Sequence, residues 1–283
     1  MNATWAPVRA GVRHGLIELR QLFFDSHHIV VTAISTGIFF AAMVFTRTVA
    51  VPGTGFPLGV MMLPGVLGMT LGINGIATMA GSLAVEREDG TLLRARTVPG
   101  GVTGYVVGKV VMLSCSTVVT AALTLGVGFA VFPELVTHGA GSWLTLVVVL
   151  VLGLAATLPA GIVIGPLLPN SHSFGLVMFP LYAVAATSGV FYPLTRFPEW
   201  LQYVGQVFPI YWLGLLARSA LLPADLAATE IGGSWRYGAA VAVLAVWAIA
   251  GASLAPPLLR RMTRQESGSK LLSRRDKAMQ RVG

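Results

Sequence analysis

Glu86-Arg87-Glu88-Asp89-Gly90-Thr91-Leu92-Leu93-Arg94-Ala95-Arg96-Thr97-Val98-Pro99 is a charged island in an apolar chain. Between Thr48 and Thr195 the sequence carries eight charged residues, and six of them (Glu86, Arg87, Glu88, Asp89, Arg94, Arg96) fall inside this stretch. Charges are costly at the depth of a bilayer. A cluster of six between two long apolar runs must therefore face water, and the runs that flank it read as the spans that carry the chain to that water.

Composition agrees. Of 283 residues, 55% are hydrophobic and 11% charged, with a mean hydropathy of +0.77. That is too little charge to cover a soluble globule of this size. The chain reads as an all-α polytopic membrane protein. A span needs about 20 apolar residues, and six stretches supply them: Ile29 to Thr46, Phe56 to Val85, Gly104 to Phe132, Trp143 to Gly165, Ser173 to Tyr192 and Tyr237 to Leu259. Six spans place both termini on one side. Fifteen of the 19 Lys and Arg then share that side with the island, against Arg47, Arg196, Arg218 and Arg236 opposite. Lys and Arg accumulate in cytoplasmic loops, so both termini and the island are expected in the cytoplasm. The same rule accounts for the net charge of +8. No nucleic-acid partner is expected, because no basic face interleaved with aromatics is present.

Three further segments flank or interrupt the 29–259 transmembrane domain. Residues 1–28 lack the unbroken apolar core of a cleavable leader, since Arg9, Arg13, Glu18, Arg20 and Asp25 interrupt them. Their periodicity puts Val8, Val12, Leu16, Leu19 and Phe23 on one stripe with Arg9, Arg13 and Arg20 at its edge, the pattern of an interfacial helix on lipid. Residues 191–222 hold eight aromatics in their first 22 positions, divided by Pro193, Pro198 and Pro209. They read as two short helices that dip into the outer leaflet and return. Residues 260–283 form a basic tail suited to anionic lipid.

Catalytic chemistry finds little support. Cys115 is the single cysteine, and the five His show no metal-ligand spacing. The nearest approach to a phosphate loop, Thr103 to Val110, has Thr103 in place of the first Gly and Val110 in place of the Mg-binding Ser or Thr. No His lies in a span core to activate a serine, and the four Asp are scattered. No catalytic residue, metal site or bound cofactor is expected in this chain. No ionisable residue falls mid-span, which argues against a proton-driven carrier. Asn74, Ser114 and Thr117 are candidate pathway residues, with hydrogen bonding between helices as the alternative role. Gly68/Gly72, Gly104/Gly108 and Gly161/Gly165 are spaced for close helix approach.

The order of residues in the island carries more. Glu86, then Gly90-Thr91, then Leu92-Leu93-Arg94 and Thr97-Val98-Pro99 resembles the segment after the second span of ABC-2 type permeases, the membrane subunits of one large class of ATP-binding-cassette transporters. Ser188-Gly189-Val190-Phe191-Tyr192-Pro193-Leu194, Phe197-Pro198-Glu199-Trp200-Leu201-Gln202 and Pro209-Ile210-Tyr211-Trp212 look like that family's external segment before the last span. The resemblance implies an export subunit similar to the daunorubicin-resistance type, in the cytoplasmic membrane of a bacterium. It implies a separate ATPase partner that holds ATP and Mg, and a second copy of this chain. A coupling helix over 86–99 would use Glu86, Gly90, Thr91, Leu92 and Arg94. Glu86 and Arg94 would make polar contacts, Leu92 and Leu93 an apolar anchor, and Gly90 the turn. The external pair would use Phe191, Tyr192, Pro193, Trp200 and Trp212. Gly100 departs from the family pattern, which loosens the expected end of the coupling segment. Uncharged spans suit an amphipathic or lipophilic cargo such as a drug, an antibiotic or a lipid-like molecule. An ATP-independent carrier or channel and a polytopic membrane enzyme are the alternatives.

Overall fold

The structure is a computed structural model that describes residues 5–51, 53–135, 139–168 and 173–265. Ten α-helices follow in chain order: α1 (Trp5–Phe24), α2 (Ser26–Phe45), α3 (Leu58–Glu88), α4 (Thr91–Arg96), α5 (Gly101–Val131), α6 (Ala140–Ile164), α7 (Phe174–Thr187), α8 (Glu199–Val207), α9 (Pro209–Leu221) and α10 (Tyr237–Gln265). Among the described residues there is no strand beyond an isolated bridge between Ala50 and Pro57. The basic tail beyond 265 and the loop residues 169–172 lie outside the described residues.

α3 is the axis. It is apolar on every side, which is the signature of a helix enclosed by others, and 89% of its apolar window is buried against 6% of that in α2. Its principal neighbours are α9, α6 and α5, while α10 packs on α6 and α1 on α5. Small residues set the spacing. Gly68 of α3 meets the backbone of Gly214 in α9, and Gly65 lies under the Val190 carbonyl. A side chain at either position would push the helices apart.

Five helices are long and apolar enough to cross a membrane: α2, α3, α5, α6 and α10. The expected span Ser173 to Tyr192 is shorter than read. α7 ends at Thr187 after 14 residues, about 21 Å at 1.5 Å per residue, against a hydrocarbon core of about 30 Å. The backbone leaves the helix because Gly189 turns it at φ +68 and Val190 is drawn against Gly65 of α3.

Residues 191–222 do contain two short helices, α8 and α9, but they differ in kind. α8 leaves Trp200, Tyr203, Val204 and Val207 exposed on one side. α9 is core: of Pro209 to Leu221, every residue but Ser219 is buried. The turn between them enters the bundle. Val207 accepts a 2.8 Å hydrogen bond from the indole of Trp247, ten residues into α10, and Ile210 faces Gly72, fourteen residues into α3. Those positions lie about 15 and 21 Å along their helices. Trp212 and Tyr211, expected at an aromatic interface, are 2% and 0% exposed. The correction follows from α3, α6 and α10 closing round α9, so its aromatics meet protein.

Candidate functional site

The island folds as the six-residue α4 between two left-handed glycines, Gly90 (φ 73) and Gly100 (φ 72). Both positions are strained for any side chain, which explains the glycines on each side of so short a helix. Gly100 therefore fixes the end of the segment where the sequence suggested a looser one. A side chain there would also strike the Pro7 ring of α1.

The candidate coupling residues divide between the two sides of α4. Leu92 is 2% exposed and packs with Met79, Leu83, Leu158 and Leu259, so it pins α4 to the bundle and is not on the surface as an anchor for a partner. Arg94 is exposed, with Nη2 donating to Thr91 Oγ1 at 3.2 Å. Asp89, Thr97, Val98 and Pro99 are exposed beside it. The side chains of Leu93 and Arg96 lie outside the described set. Arg87 turns inward, and its Nη2 donates to the Leu168 carbonyl at 2.6 Å, tying the island to the end of α6.

Glu86 also faces inward. Its Oε1 lies 2.5 Å from Lys109 Nζ, and Glu18 Oε2 of α1 lies 2.8 Å from the same nitrogen. Lys109 is 6% exposed. Three helices thus meet at one ammonium, with Tyr105 beside it. Among the described residues Glu86 Oε2 and the Tyr105 hydroxyl have no hydrogen-bond partner. Two carboxylates against one ammonium leave a formal negative charge in a nearly closed space. The sequence gives no sign of this cluster, because Glu18 and Lys109 are 91 residues apart.

At the other end of the bundle Arg218 and Glu230 form a second internal pair. Arg218 Nε lies 2.6 Å from Glu230 Oε1, and Nη1 donates to the Gly189 carbonyl at 3.1 Å, with both side chains at most 2% exposed. The pair ties the end of α9 to the turn after α7 and to residues 224–233. Pro193 is buried, Phe191 and Tyr192 are half-buried, and Trp200 is exposed. Phe191 stacks on Phe39 of α2 with centroids 6.2 Å apart. Trp212 donates its indole N–H to the Gln206 carbonyl at 2.7 Å and lies under the Arg236 guanidinium.

A cavity of about 380 Å³ lies between α2, α3 and α5, with Tyr182 of α7 at its edge. Asn74 and Thr117 line it; Ser114 does not. Its place is taken by Ser116, Thr120 and Thr124 on the neighbouring stripe of α5. Helical spacing from Thr117 points to that stripe directly, since Thr120 and Thr124 follow at three and seven residues.

Residues 52–250 match the model of a family described as ABC-2 family transporter protein. No curated protein matches the chain.

Proposed function

The chain belongs to the ABC-2 family of transporter proteins, and from that premise we propose that it is the membrane subunit of an ATP-driven exporter. A separate ATPase holds ATP and Mg, a second copy completes the pathway, and the island and both termini face the cytoplasm. The cargo is amphipathic or lipophilic and leaves outward through the cavity between α2, α3 and α5.

The observation that carries this reading is the construction of the island. α4 hangs between two glycine turns, holds the bundle through Leu92, and presents Asp89 and Arg94 outward. An outward face carrying both signs suits charge-assisted contact with a soluble partner. Just above, Glu86 and Lys109 link α3 to α5 and, through Glu18, to α1. A push on α4 is thereby passed to three helices as a rigid displacement. Glu86 acts inside this linkage and Arg94 at the partner.

The test is co-expression of the full chain with its ABC ATPase partner and reconstitution in liposomes. Arg94→Glu should lower permease-stimulated ATP hydrolysis about tenfold, the effect of losing one charge-assisted contact, while Trp200→Ala leaves it unchanged. Full stimulation by Arg94→Glu overturns the coupling role. Cargo movement by this chain alone, without ATP, overturns the exporter reading.

A further inference from the structure

The cavity has a chemical character that narrows its ligand. Each wall carries one polar stripe at helical spacing: Thr32, Ser35 and Thr36 on α2, Thr70, Asn74 and Thr78 on α3, and Thr117, Thr120 and Thr124 on α5. Among the described residues that line it there is no Lys, Arg, Asp or Glu, and His28, in the first turn of α2, is its one imidazole.

Hydroxyls inside apolar helices usually bond back to a carbonyl of their own helix. Elsewhere in this chain they do: Thr46, Thr157 and Thr187 donate to carbonyls four residues back at 2.7 to 3.0 Å. In the cavity Thr120 and Thr124 do the same. The side chains of Thr32, Thr36, Thr70, Asn74, Thr78 and Thr117 make no hydrogen bond to another described residue. Polar groups without a protein partner at this depth require water or a ligand.

Apolar side chains close both ends of the stripes: Phe39, Phe40 and Val66 on one side, and Met112 and Leu113, within about a turn of Lys109, on the other.

We infer that the cavity binds an uncharged amphiphile rich in hydroxyl or carbonyl groups, its polar groups against the stripes and its apolar part against Phe39, Phe40, Met112 and Leu113. This rests on the cavity being the cargo path. Neutral hydrogen-bonding groups match the free hydroxyls and the Asn74 amide. An ammonium headgroup would be desolvated with no acidic side chain on the described walls, and a phosphate would meet His28 alone.

The test uses the full chain in nanodiscs of zwitterionic lipid and four photoactivatable probes with the same alkyl chain: a glucoside, a phosphate, a trimethylammonium and the headless hydrocarbon. The glucoside is expected to label α2, α3 and α5 and to bind about tenfold tighter than the other three, the effect of two or so hydrogen bonds. Asn74→Leu with Thr117→Val should remove that advantage while the headless probe still labels, which shows the variant is folded. Equal labelling by all four, preference for a charged probe, or an unchanged advantage in the double variant overturns the neutral class and leaves the cavity as the cargo path. Labelling of the cavity by none of the four overturns the cargo path itself, and this inference with it.

Discussion

Lys109 illustrates how a single ammonium organises the island end. Removing it strands the carboxylates of Glu18 and Glu86, and an uncompensated buried charge costs roughly 3–5 kcal/mol. Lys109→Met should therefore lower the melting temperature in detergent steeply. Adding Glu18→Gln and Glu86→Gln should restore most of it, whereas losses that simply add would show that the three groups act independently. The other end offers a gentler case. Arg47 Nη2 donates to Glu134 Oε1 at 2.8 Å and holds that carboxyl below the usual range of a glutamate. A depressed folded-state value means that the stabilisation is present above the unfolded value, about pH 4.3, and is lost as pH falls through the folded one. The two side chains are 42% and 32% exposed, so solvent screening keeps the term below about 1 kcal/mol. Melting curves of the protein and of Glu134→Gln should differ at pH 7 and converge in acid; an equal gap at pH 3 would refute the assignment.

At the scale of elements, α1 has two faces, and the sequence reports one of them. The stripe Val8, Val12, Leu16, Leu19 and Phe23 is apolar, yet Val12, Leu16 and Phe23 are exposed. The contact with α5 runs through Gly11 and Gly15, which sit on the carbonyls of Gly104 and Gly108. The Gly104/Gly108 spacing was legible in the sequence. Its partner was not, because a glycine face leaves no hydrophobic period. Gly15→Leu should lift α1 from α5. In a Cys115→Ser background, maleimide labelling of Leu22→Cys should then rise severalfold, and unchanged labelling would place the contact elsewhere. α4 was legible for the opposite reason: charge clustering and Gly90 mark it without reference to any other part of the chain. The inward turn of Glu86, Arg87 and Leu92 depends on α1, α5 and α6, which local sequence does not report.

For the whole molecule, hydropathy located the long helices, and the helical bounds fall within about three residues of the apolar runs except at α7 and at the end of α10. Such runs are legible because each must satisfy the same solvent along its length. α9 escaped that logic. Its aromatics and Pro209 suggest an interface, while its environment is set by α3 and α6, distant in sequence, and by α10, which follows it. Arg218, counted in the sequence among the outer charges, is paired with Glu230 inside the bundle.

The burial of α9 also has a consequence for synthesis. A helix of 13 residues is about 20 Å long, too short to be released into lipid as a finished span, and its closing neighbour α10 is translated after it. α9 must therefore wait, half-housed by α3 and α6, until the last long helix arrives. A nascent chain stopped after Ser234 should leave Tyr211→Cys open to a water-soluble maleimide, and the full-length chain should protect it. Protection in the shortened chain would mean that α3 and α6 suffice. On this account the final helix is the bolt of the assembly, shot only when translation is nearly complete.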